Sequence, residues 1–257
     1  MPAPPSRQQA GSRSEESPMT TTPRRVLLPL AALAAASLAL AGCMTVPASG
    51  PRVTAEHEVS DAVHALRLDN AGDVVVMLGD QPGLTVRAPQ AIMDRLTASE
   101  DDGTLVLGMS GAGMWVGRIE YTLTVRSFDE VELTGSGDVR ADFSSAQTVS
   151  IEVSGSGDVR GTDVDAAEVG IEVSGSGDVC IDGAADRGEF EVSGSGDLDA
   201  SGLALRTAEA EVSGSGDLSV HATDTLGARI SGSGDMFVSG SPRITRDTPG
   251  SGDLIER

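Results

Sequence analysis

Apolar and polar residues alternate strictly through the second half of the chain. In Ile151-Glu152-Val153-Ser154-Gly155-Ser156-Gly157-Asp158-Val159-Arg160, one set carries Ile, Val, Gly, Gly and Val. The other set carries Glu, Ser, Ser, Asp and Arg. A period of two places successive side chains on opposite faces of a strand, so this segment predicts β-structure with one buried face. The glycines fall on the inward set, where they leave space or allow positive φ at an inward bend of the chain. No segment here has a 3.6-residue period, and the glycines weigh against helix.

The same phrase returns along the chain. GSGD tetrads begin at Gly135, Gly155, Gly175, Gly194, Gly214, Gly232 and Gly250, at spacings of 20, 20, 19, 19, 18 and 18 residues. A steady period of this length is the mark of a solenoid, in which each repeat packs only on its neighbours. Coils of about 20 residues stacked in parallel, roughly 4.8 Å apart, predict an all-β parallel β-helix whose equivalent residues align in ladders. Six such steps make the GSGD comb roughly 29 Å long. The residues between tetrads, such as 161–170, are expected to form the return path of each coil.

Residues 61–130 are less regular but related. Leu66 to Val74 align column by column with Val131 to Val139, and Asn70 stands where Gly135 stands. Asn is the next-best residue after Gly for a left-handed backbone. The stretch therefore predicts a degenerate first coil, with 83–88, 104–109 and 118–125 as further strands and a turn at Asp101-Asp102-Gly103. It begins or caps the solenoid of residues 131–257.

The amino-terminal part has another pattern. Arg24 and Arg25 precede an apolar run from Val26 to Leu40, which ends in Leu40-Ala41-Gly42-Cys43. The run is short for a membrane span and suits a signal peptide. Its end resembles the lipobox of bacterial lipoproteins, which implies lipidation of Cys43 after removal of residues 1–42. An uncleaved membrane anchor is the alternative. Met19 gives a more ordinary start than Met1, and the Arg pair matches a twin-arginine signal only in part. Residues 43–60, polar with Pro and Gly, are expected to be a flexible tether.

Composition sharpens this picture. Aromatics make up 2 % of the 257 residues and glycine contributes 32, so the core must be thin and built from Val, Leu, Ile and Ala. The formal net charge is −21 with no lysine, and removing residues 1–42 with their four Arg and two Glu leaves −23. Such a surface disfavours nucleic acid and would attract cations or basic partners; it also keeps a repetitive β-surface soluble. Once Cys43 carries lipid, Cys180 has no disulfide partner and serves as a small packing residue.

The lipobox, strand-rich opening and recurring S-G-S-G-D resemble the bacterial family of unknown function described as putative auto-transporter adhesin, head GIN domain. The resemblance covers about residues 60–257. It implies a right-handed parallel β-helix at the cell envelope and supplies no catalytic residues.

Candidate chemistry rests on ladders. Asp138, Asp158, Asp178, Asp197, Asp217, Asp235 and Asp253 recur once per coil. Carboxylates about 5 Å apart repel unless hydrogen bonds or cations compensate, so this comb is either a calcium site or a row satisfied by backbone N–H groups within each turn. Ser136, Ser156, Ser176, Ser195, Ser215, Ser233 and Ser251 form a second row, offering a polar binding face or hydroxyls bonded to one another. Trp115 and Tyr121 either anchor a partner or cover the solenoid end. His57, His64 and His221 are scattered, and no nucleophile elbow, phosphate loop or metal spacing appears. The expected function is a non-enzymatic binding or adhesion module, membrane-tethered through Cys43, with an envelope or extracellular partner and no required cofactor. The alternatives are a calcium-stabilised spacer and, less favoured, a carbohydrate-acting enzyme.

Overall fold

A computed structural model describes residues 46–47, 50–111 and 115–257. The expected signal peptide and Cys43 lie outside the described residues. The amino-terminal part contains β1 (Val46–Pro47), β2 (Arg52–Glu58), β3 (Ala65–Leu68), β4 (Asp73–Leu78) and β5 (Gly83–Pro89). A one-turn helix α1 (Gln90–Met93) follows, then β6 (Leu96–Asp101), β7 (Thr104–Met109), β8 (Trp115–Val116) and β9 (Glu120–Val125). The repeat region supplies β10 (Glu130–Leu133), β11 (Val139–Asp142), β12 (Thr148–Val153), β13 (Val159–Val173) and β14 (Val179–Val192). It ends with β15 (Leu198–Val212), β16 (Leu218–Ile230), β17 (Met236–Ser239), β18 (Arg243–Asp247) and β19 (Leu254–Glu256).

These strands form a parallel β-solenoid. Val131 pairs with Ile151, Ile151 with Ile171 and Ile171 with Phe190, so equivalent residues of successive repeats lie directly over one another. The expected return path is itself strand, because β13 runs unbroken from Val159 to Val173. It turns where Asp163 takes a φ of 59° and the register slips between Gly161 and Val164. Buried Val, Ile, Leu and Ala fill the interior, with Phe128 and Phe143 at 5.5 Å between ring centres near the first GSGD coil. Alternation explains this core. Each inward residue buries one side chain, and stacking buries the next one beside it.

The coil aligned from sequence is present: Val131 pairs with Leu66 and Val139 with Val74. The coils are not laid down in chain order, however. β7 and β9 pair in parallel with β3 and β4 on the side away from β10 and β11. The solenoid coils thus start one coil inside the rod with β3 and β4, continue to the outer coil, and return across residues 126–129 to add β10. Antiparallel strands cover that outer coil. β6 pairs with β7, β5 with β9, and β2 with β5. Asp102 and Gly103, with φ of 46° and 84°, make the two-residue turn between β6 and β7. Residues 52–58 of the expected tether belong to this cover as β2, where Val53 and Ala55 are the partly buried positions.

Candidate functional site

Each GSGD tetrad is a corner joining the strand that ends at a residue such as Val153 to the strand that begins at Val159. None of its glycines has a positive φ. Their role is the close approach of neighbouring coils. A Cβ on Gly155 would strike the carbonyl oxygen of Gly135, and one on Gly175 that of Gly155. Asn70, at the base of this column, is not left-handed either. Its amide accepts the N–H of Gly72 at 2.8 Å and donates to Gly108 O at 3.0 Å and to the Tyr121 hydroxyl at 2.9 Å. Asn70 is buried and fully engaged, so it plugs the corner with hydrogen bonds where other coils have only backbone.

Tyr121 is buried beneath Gly72 and is not available as a partner anchor. Burial pushes its hydroxyl pKa above the usual value of 10.0, and the hydrogen bond from Asn70 opposes this only in part. Trp115 is described only as backbone in β8.

The aspartate comb is satisfied between coils and not within its own turns. The N–H of Asp158 donates to Oδ1 of Asp138 at 3.2 Å, and Asp178 to Asp158 at 3.0 Å. Asp197, Asp217, Asp235 and Asp253 each donate likewise to the aspartate one coil earlier, at 2.8 Å. The shift from local to inter-coil bonding follows from the parallel stack, which brings the next N–H directly above each carboxylate. Among the described residues no group of His, Cys, Asp and Glu has a metal-binding arrangement. A hollow of about 220 Å³ beside the comb is also lined by Arg140, Arg160 and Cys180, so cations already border these acids. Burial pushes the Cys180 thiol above its usual pKa, and Asp199 and Asp182 act in the same direction against Arg160. The serine row is exposed at Ser156, and no hydroxyl of the row bonds to the next among the described residues. Its backbone carries the pairing, as in Ser156 N–H to Gly135 O at 3.0 Å.

A larger feature escaped the sequence reading. On the outward side of the face formed by β12 and the later strands, Glu132, Glu152, Glu172, Glu191 and Glu211 stack in one column. Two residues earlier, Glu189 and Glu209 stand beside it, while Gly170 and Gly227 leave gaps. Glu152, Glu172, Glu189, Glu191, Glu209 and Glu211 line a groove of about 660 Å³, with Arg229 and Asp247 at one end. Arginines close both ends of the column. Arg67 reaches Glu132 at 3.4 Å, and Arg229 reaches Glu211 at 3.3 Å and also pairs with Asp247. Glu152, Glu172 and Glu191 between them have no ion pair among the described residues. The signal for this column was the Glu recurring two residues before the S-G-S-G-D at Ser154, Ser174, Ser193 and Ser213, read earlier only as part of a polar face.

The stacked coils, glycine corners and closed outer end define a β-solenoid whose distinguishing surfaces are ladders along its sides. The chain belongs to the family described as putative auto-transporter adhesin, head GIN domain, whose model matches residues 63–242. Solved structures share the fold. A putative adhesin from Bacteroides fragilis is 22 % identical with a TM-score of 0.77, over 82 % of this chain and 100 % of its own. A putative lipid binding protein from Parabacteroides distasonis is 24 % identical with a TM-score of 0.66, over 81 % and 98 %. A putative adhesin from Parabacteroides merdae is 18 % identical with a TM-score of 0.57, over 83 % and 99 %. No curated protein matches the chain. Family membership supports an adhesion or binding role outside the cytoplasm.

Proposed function

We propose that the protein is a non-enzymatic adhesion module, tethered to the cell envelope by lipid on Cys43, that holds a basic partner in its glutamate groove. The observation that carries this reading is the run Glu152, Glu172 and Glu191, which has no ion pair among the described residues, whereas Arg187 pairs with Glu189 and Arg229 with Glu211 in the same groove. Neighbouring carboxylates on stacked coils, about 5 Å apart, repel by about 0.8 kcal/mol in water before salt screening. A partner that lays guanidinium or ammonium groups along the column relieves that repulsion. The hydrogen-bonded aspartate comb, with Arg140 and Arg160 at its side, offers less. An open, shallow groove with repeated identical side chains suits an extended partner, and it lacks the single differentiated cluster that catalysis on a polysaccharide requires.

Pull-down from envelope fractions tests the reading. The protein should retain a basic partner that is released by raised salt. Retention no greater than that of an unrelated protein of equal negative charge would refute it.

A further inference from the structure

The core columns of the solenoid can be followed from end to end by register. One begins at Leu105 and passes through Leu66, Val131, Ile151, Ile171, Phe190, Ala210 and Ala228. Each of these side chains is buried. In the last described coil the same column is occupied by Arg246, which is exposed. The neighbouring column keeps its apolar character, since Ile244 lies over Leu226.

The backbone at this end still follows the interior pattern. Leu218 donates its N–H to Asp235 O and Met236 to Asp253 O, each to the following coil at 2.9 Å. Leu254 lies over Met236 in the same column, so its N–H is directed past the last coil. Likewise the carboxylate of Asp235 receives the N–H of Asp253, while no described N–H reaches Asp253. The hydrogen-bonding capacity to accept a further strand is therefore present. What breaks the pattern is the charge in the core column.

We propose that Arg246 is a gatekeeper that prevents a second copy of this chain from adding a strand to the last coil. Another coil laid over β18 would seal the guanidinium into an apolar column beside Ala228, away from water and from a carboxylate. An inward-facing charge at a strand edge is a recognised protection against edge-to-edge growth. The far end is protected differently, by antiparallel β5 and β6. The described edges of the solenoid thus oppose self-association differently, one by cover and one by charge.

The test compares the full-length chain in detergent micelles with Arg246→Ile and with Arg243→Ile, the latter on the outward side of the same strand. Mass by light scattering and rod length by negative-stain microscopy are read together. The proposal expects Arg246→Ile to form end-to-end pairs at least about a hundredfold more tightly than the unaltered chain, with Arg243→Ile unchanged. Arg246→Ala, which continues the alanines at 210 and 228, should give a smaller increase and serves if the isoleucine variant does not fold. Equal masses and lengths for all folded variants would overturn the proposal, as would end-to-end pairing of the unaltered chain.

Discussion

Replacing Gly175 by alanine should damage the solenoid far more than the same change at Gly170, five residues earlier. A Cβ on Gly175 would collide with Gly155 O and stand 2.7 Å from the carbonyl carbon and oxygen of Ser154. All of these are backbone atoms, which cannot rotate aside, so the corner of one coil must lift from the other. The hydrogen bonds that cross that corner include Gly175 N–H to Val153 O at 3.1 Å, Ser176 N–H to Gly155 O at 3.0 Å and Asp178 N–H to Asp158 Oδ1 at 3.0 Å, the three counted for the loss. At about 1 kcal/mol each, with about 1–3 kcal/mol for overpacking, the loss is about 4–6 kcal/mol. Restricting the unfolded chain offsets somewhat under 1 kcal/mol. At Gly170 nothing lies within 4 Å of the added atom, so that variant should stay within about 1 kcal/mol of the parent. Urea unfolding followed by circular dichroism measures both. Because solenoid stability is a sum of neighbouring terms, amide exchange should also rise most in the coils on either side of Gly175. Equal stabilities for the two variants would refute the view that the glycines exist for coil contact.

Three further outcomes follow from the described residues. Asn70→Gly, which makes the first coil look more like the others, should cost about 2–4 kcal/mol in urea unfolding by stripping partners from Gly72, Gly108 and Tyr121. Tyr121 is the sole tyrosine, so ultraviolet absorbance titration reads it alone, and its midpoint should lie above 10. A raised folded pKa means its stabilising contribution is complete below the unfolded value of about 10 and is lost as pH rises through the folded value; Tyr121→Phe should lack this alkaline loss. Melting in millimolar calcium and in chelator should coincide, because one oxygen of each comb aspartate through Asp235 already holds an N–H group. An upward shift abolished by Asp158→Asn and Asp178→Asn would instead establish the comb as a cation site.

The solenoid was legible because its determinants are local and repeated. Alternation at Ile151 to Val159 specifies a half-buried strand, and the 18- to 20-residue period specifies how strands stack. The reversed order of the first two coils was not legible, because Leu66–Val74 and Leu105–Val125 carry the same alternation whichever lies outermost. Nor could sequence decide what Asp158 bonds to, since its donor belongs to a residue 20 positions on. The glutamate groove was hidden for a related reason. A Glu before four of the S-G-S-G-D phrases reads as an ordinary solvated position until register places Glu152, Glu172 and Glu191 in line. Arg246 escaped notice because the final repeat is imperfect, so its column is known only from its pairing with Ala228.

The account turns on which acidic ladder meets the partner, and two variants of identical net charge decide it. One is Glu152→Gln/Glu172→Gln/Glu191→Gln in the groove; the other is Asp138→Asn/Asp158→Asn/Asp178→Asn in the comb. Their affinities for an arginine-rich peptide, measured by interferometry at fixed salt, should differ. The groove variant should bind about tenfold more weakly than the parent and the comb variant within about twofold of it. Equal losses would show that only overall charge matters, and loss confined to the comb variant would place the contact surface on the aspartates.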